Sequence, residues 1–207
     1  MENATKSITI LKKLLSKEQF DKIEKHLDIF LKWKEIHNLT SIENKSDVYK
    51  EHYLDSVLGL RAIEPLVQKS ESVIYDFGSG AGFPGLIAAV LWPNKDIFLV
   101  ESSRKKSSFL KLSSSLMELN RVFVVEKRVE DLRGEVSFAI TRAAFSAKNW
   151  FLLKKAMAPQ GRVAFWLSAS VESENPDWVL ERREYYELEP KHKRQIAVFH
   201  VKPQPNG

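Results

Sequence analysis

Along the first sixty residues, apolar side chains recur at spacings of three and four. Phe20, Ile23, Leu27, Phe30 and Leu31 form one stripe with charges between them, and Ile36 and Leu39 carry it past Trp33. That period predicts an amphipathic helix. Asn38-Leu39-Thr40-Ser41 and Glu43-Asn44-Lys45-Ser46 are rich in turn formers. A second helix is predicted from about Ser46, with Asp47 in its first turn. It carries Val48, Tyr53 or His52, Leu54, Val57, Leu58 and Leu60.

From residue 72 the rhythm changes. Short β-rich runs at 73–75, 97–100, 122–125, 138–140 and 163–167 alternate with helix-like segments at 86–91, 105–119 and 150–158. Strand then helix, repeated, predicts a parallel sheet wound with helices on both faces. Pro159 and the turn Gln160-Gly161 are expected to end the last helix. Two further strands are expected at 183–188 and 196–201, as an antiparallel pair joined by the basic stretch Lys191-His192-Lys193-Arg194. Residues 202–207 read as a frayed end.

One stretch stands out: Asp76-Phe77-Gly78-Ser79-Gly80-Ala81-Gly82-Phe83-Pro84-Gly85. It lies between a predicted strand and a predicted helix. A glycine turn there lets backbone approach a ligand where a side chain would block it. Residues 80–85 fit G-x-G-x-x-G, the dinucleotide fingerprint, but that match alone is weak. The carboxylate of Asp76 at the strand end is foreign to most dinucleotide sites and resembles the S-adenosylmethionine site of Rossmann-like methyltransferases. Glu101 closes the next strand, where a carboxylate can accept bonds from both ribose hydroxyls of an adenosine. Arg128-Val129-Glu130-Asp131 follows the third strand, where backbone groups and a carboxylate can read an adenine edge.

Composition alters this picture little. The 207 residues are 43% hydrophobic and 29% charged, as in ordinary globular proteins. There is no cysteine, which excludes disulfides and thiolate metal sites, and the five histidines show no ligand spacing, so no metal is expected. No apolar run approaches the roughly 20 residues of a membrane span. The N-terminus has no secretory pattern, so a cytoplasmic location is the default expectation. The net charge of +5 permits a polyanionic partner without proving one. The absence of heptads makes a monomer the default.

Four motifs in order resemble the RsmG (GidB) methyltransferases. They are the glycine stretch; Trp33-Lys34-Glu35-Ile36-His37-Asn38-Leu39-Thr40 with His52-Tyr53-Leu54-Asp55-Ser56; Glu101 to Leu110; and Thr141-Arg142-Ala143. The resemblance covers roughly residues 15 to 167. It implies a class I, Rossmann-like fold with a seven-stranded, mostly parallel sheet and an N-terminal helical extension. Residues 1–64 would be that extension and 65–207 the methyltransferase domain. It implies methyl transfer from S-adenosylmethionine to N7 of a guanine in the 530-loop region of 16S ribosomal RNA. By position it places cofactor contacts on Gly78, Phe83, Val129, Glu130 and Arg142, beside Asp76, Gly80, Gly82 and Glu101. Two departures are visible. Lys34 stands where the family has Asn, and Trp166-Leu167-Ser168-Ala169-Ser170 lacks the family's Lys-Gly.

Guanine N7 has an in-plane lone pair and no hydrogen, so attack on a methyl sulfonium needs no proton-abstracting residue. His52 and Asp55 share a helix face and either bond helix to sheet or face the cofactor mouth and RNA. Arg104, Lys105, Lys106 and Arg194 are candidate phosphate contacts, and Arg142 could meet cofactor, guanine or phosphate. Phe145, Trp150 and Trp166 either stack an extruded base or pack the core. A methyltransferase with another substrate, a NAD-dependent oxidoreductase and a non-catalytic RNA-binding module remain as alternatives.

Overall fold

In the computed structural model, residues 2–37, 45–70, 73–143, 149–168 and 177–202 are described. The turn-rich stretch 38–44, Phe145 and the segment after Ser168 lie outside them. Seven strands form one sheet in the order β3-β2-β1-β4-β5-β7-β6. They are β1 (Val73–Phe77), β2 (Asp96–Val100), β3 (Val122–Val125), β4 (Val136–Arg142), β5 (Met157–Ser168), β6 (Trp178–Glu189) and β7 (His192–Val201). All neighbouring pairs from β3 to β5 are parallel, and β7 runs antiparallel to both β5 and β6. The order reverses at β1, which pairs with β2 on one side and β4 on the other. Ligands of open α/β sheets bind at such a switch point, beyond the carboxyl ends of the strands.

Alternation along the strands assigns each face. Ile74 and Asp76 of β1 point one way, and Tyr75 and Phe77 the other. The first face carries α5 (Gly85–Leu91) and α6 (Arg104–Leu116), and with them the N-terminal helices α1 (Glu2–Leu14) and α2 (Lys17–His37). Leu11, Ile23, Leu27 and Phe30 share one buried cluster with Leu86, Ile87, Phe109, Ile140 and Trp166. From Phe20 to Leu31 the predicted stripe is therefore core. Among the described residues, the opposite face is covered more thinly, by the short α7 (Phe151–Lys154) and a single turn at Val129–Asp131. Its cluster centres on Trp150, which stacks on Phe165 with ring centroids 3.9 Å apart. Trp150 is 1% exposed, so it packs the core and offers no face to a base.

The predicted second helix is three segments in one: α3 (Lys45–Val48), a π-helical turn Tyr49–Leu54 and α4 (Asp55–Ser70). The Asp55 N–H reaches back to the Lys50 carbonyl, five residues earlier. This widened turn brings Glu51, His52 and Asp55 to one side, beside the sheet. The division expected at residue 64 falls inside α4.

Two expectations near β5 are corrected. The helix expected over 150–158 ends at Lys154, and Met157 is already paired with Val136 of β4. Gln160 has φ 58°, but it marks an irregularity within β5, not a chain reversal. Likewise the β6–β7 connection is only Pro190-Lys191. His192, Lys193 and Arg194 belong to β7.

Candidate cofactor and substrate site

The glycine stretch turns off the carboxyl end of β1 into α5. Gly78, Gly80 and Gly82 have φ of 72°, 56° and 87°, which only glycine adopts freely. The Gly78 and Ser79 N–H groups donate to the Val100 carbonyl at 2.9 and 3.2 Å, tying the turn to the end of β2. Glu101 follows Val100 and is 7% exposed. Its Oε2 accepts from the Gly80 N–H at 3.0 Å, and its Oε1 accepts from the Ser103 N–H at 2.8 Å. Each oxygen keeps a free lone pair.

Asp76 is 1% exposed beneath the turn. Its Oδ2 accepts from the Gly85 N–H at 3.1 Å, and its Oδ1 has no partner among the described residues. Burial raises its pKa from 3.8 to about 7, against the opposing pull of the Ser79 hydroxyl, the Gly85 N–H and the Arg142 charge. The folded protein thus binds a proton that the unfolded chain releases between pH 3.8 and about 7. Asp76 therefore costs stability as pH rises through that window. We expect Asp76→Asn, which cannot ionise, to gain on the wild type from pH 4 towards about 7 in urea denaturation, and a pH-independent difference to count against this account.

The Val129–Asp131 turn lies beside this site, because the Glu101 N–H bonds to the Val125 carbonyl at the end of β3. Val129 is buried, and the Glu130 carbonyl accepts from the Arg133 guanidinium. Arg104, Lys105 and Lys106 open α6 and are exposed. Cations at a helix N-terminus oppose its dipole, so these do not serve helix stability.

The remaining candidates meet elsewhere, in a cleft of about 340 Å³ at the ends of β4, β5 and β7. Glu51, His52, Asp55, Arg142, Trp166 and Arg194 are among its lining residues. Arg142 donates to the Glu51 carbonyl at 2.8 Å and to Asp55 Oδ2 at 3.0 Å, and lies 3.0 Å from His52 Nδ1. Its guanidinium also sits 5.4 Å from the Phe83 ring centre. Asp55 Oδ1 accepts from the Tyr186 hydroxyl at 2.7 Å, and Arg194 donates to Glu51 at 2.8 Å. Burial, reinforced by the Asp55 carboxylate, pushes the Tyr186 phenol far above its ordinary range. Arg194 is thus held by Glu51, and Arg142 by the helical segment. Trp166 stands behind them, 7% exposed, with its indole N–H aimed at the Asp55 carbonyl.

Phe83 turns its ring inward. It stacks on His52 at 4.8 Å and meets Tyr53 and His26 edge-on at 4.9 and 5.1 Å. His26, Tyr186 and Glu51 are not among the sequence candidates, Glu51 being one of many charged positions in its helix. His26 hid as one polar residue in an apolar helical stripe, and Tyr186 as one of several tail aromatics. Nothing local distinguishes any of them.

The comparisons with known proteins agree with this fold. A family model described as rRNA small subunit methyltransferase G matches residues 19–202. A ribosomal RNA small subunit methyltransferase G of Streptococcus pneumoniae is 30% identical over 175 residues, covering 82% of this chain and 72% of that protein. One from Mycoplasma mycoides is 36% identical over 118 residues, covering 57% of this chain and 83% of its own length. Among solved structures, TrmN from Thermus thermophilus aligns with TM-score 0.53 at 18% identity, over 71% of this chain and 49% of TrmN. A mutant of MtNAS in complex with S-adenosylmethionine aligns with TM-score 0.61 at 11% identity, over 96% of this chain and 76% of that one. Those structures speak for the fold, a Rossmann-like methyltransferase sheet, while the matched residues and the relatives' identity settle the lineage: the chain belongs to the rRNA small subunit methyltransferase G family.

Proposed function

We propose that this protein transfers a methyl group from S-adenosylmethionine to N7 of a guanine in 16S ribosomal RNA. The observation that carries the reading is the glycine turn clamped between two buried carboxylates at the switch point of the sheet. Asp76 lies beneath it, with one oxygen unpartnered, and Glu101 lies beside it, bonded to Gly80. A Cβ on Gly80 would meet nothing closer than 3.8 Å, so the turn's outer surface is open to a ligand. A cationic, hydroxyl-bearing adenosine cofactor fits that set of acceptors. Glu101 would accept from its ribose, and Val129 and Glu130 would border its base. The unpartnered Asp76 oxygen would face its positive charge across the turn.

The cofactor supplies an electrophilic methyl group on a sulfonium. The protein's own task is to hold guanine N7 in line and close, and to keep charge and water in order around it. No proton need be removed. The cleft bounded by Arg142, His52 and Trp166 is the proposed seat of the base, and the exposed Arg104, Lys105 and Lys106 are the proposed phosphate contacts.

Calorimetric titration tests the cofactor reading. The wild type should bind S-adenosylmethionine and not NAD, and Glu101→Ala should weaken that binding about tenfold or more, as loss of charge-assisted bonds to two hydroxyls requires. Methylation of small-subunit RNA with N7 mapping then tests the substrate. Binding of NAD alone would sink the reading.

A further inference from the structure

We propose that His26 is a positioning residue that holds the cofactor turn in its binding conformation through the Ala81 carbonyl. This rests on the reading of the turn as the S-adenosylmethionine site. His26 belongs to α2, on the N-terminal extension, and is fully buried. Its Nε2 lies 3.1 Å from the Ala81 carbonyl oxygen. A carbonyl only accepts, so Nε2 carries the hydrogen and Nδ1 is left as the acceptor. The Tyr53 hydroxyl, 2.8 Å from Nδ1, is then the donor that selects this tautomer. The chain of bonds runs from the π-helical turn, through α2, to the tip of the glycine turn.

The tip is held on two sides. Glu101 takes the Gly80 N–H on the side open to a ligand, and His26 takes the next residue's carbonyl on the buried side. A ribose would approach on the Glu101 side, where each carboxylate oxygen keeps a lone pair. The His26 contact lies on the buried side, within a shell of aromatic rings. The ring cannot swing away, because Phe30, Tyr53, Phe83 and Phe109 surround it at centroid distances of 6.1, 5.7, 5.1 and 5.7 Å. Burial also lowers its pKa to about 4, so the ring is neutral and the tautomer defined at neutral pH. An apolar side chain would fill the same space without making either bond.

The test compares His26→Leu, which fills the volume without a donor, with His26→Gln, which returns an N–H near the Nε2 position. With the rRNA substrate, His26→Leu should raise the KM and Kd for S-adenosylmethionine about tenfold, because the unpaired Ala81 carbonyl frees the tip from its preorganised position. Its kcat at saturating cofactor and its KM for RNA should stay within about twofold of wild type, and His26→Gln should recover most of the affinity. Unchanged cofactor affinity in a folded His26→Leu protein would overturn the proposal, as would a fall in kcat alone. If His26→Leu does not fold, Tyr53→Phe serves: it keeps the ring but removes the tautomer-selecting donor, and should weaken cofactor binding about threefold, with no change overturning the idea. A wild type that does not bind S-adenosylmethionine would overturn the cofactor reading itself, whereas binding indifferent to all three variants would overturn only the role of His26.

Discussion

Gly85→Val should abolish cofactor binding. A Cβ at position 85 would stand 2.4 Å from Asp76 Oδ2, 2.4 Å from Leu99 Cδ2 and 2.8 Å from Asp76 Cβ. None of these can yield cheaply: Asp76 is held on β1 by the sheet, and Leu99 is a fully buried residue of β2. The start of α5 must move instead. That breaks the Gly85 N–H bond to Asp76 and drags the turn off the Val100 carbonyl. Overpacking of this kind costs about 1–3 kcal/mol of stability. Displacing a preorganised site by about 1 Å costs on the order of a hundredfold in function, so titration should find no S-adenosylmethionine binding at concentrations that saturate wild type. Gly80→Ala is the control. Its φ of 56° is unfavourable for alanine but a Cβ there would meet open space, so it should retain a folded protein with weakened binding. Near-normal affinity in Gly85→Val would mean that the turn is not the cofactor cradle.

The parts of this architecture carried by period and by glycine were legible in the sequence. Each strand of the parallel core follows from a short β-branched or aromatic run, and Asp76, the glycines and Glu101 stand where the strand ends were expected. The errors share a cause. Residues 150–158 have helical composition and a proline at the end, yet Met157 pairs with Val136 because the neighbouring strand offers a ladder, and tertiary pairing overrides propensity. The ties of Arg142 were illegible for a different reason. Its partners Glu51, His52 and Asp55 lie about ninety positions earlier, and no local pattern announces a bond of that reach. The same holds for His26, whose two bonds span 27 and 55 positions. The fold turns on local periodicity, and the detailed site on long-range pairing.

Asp55→Ala should be the most destabilising single change in the cleft. Asp55 is 4% exposed and accepts from Arg142 and Tyr186, with Arg194 Nε 3.7 Å away. Removing it leaves a guanidinium and a phenol, both largely buried, without their carboxylate. Breaking a buried pair from one side costs about 3–5 kcal/mol, far more than a surface pair, because the surviving charge stays desolvated. Urea denaturation should read that loss directly. Asp55→Asn should lose less, since its carbonyl oxygen can still accept from one partner while its amide opposes Arg142. Arg142→Met in the Asp55→Ala background should recover part of the stability, because no buried charge is then stranded. It should not recover methylation. The π-helical turn would still lack its tie to β4, and the wall of the proposed base cleft would be gone. A double variant that regains both stability and activity would reduce the network to a structural clasp. One that regains stability alone would give the Asp55–Arg142 pair a role in methylation beyond stability.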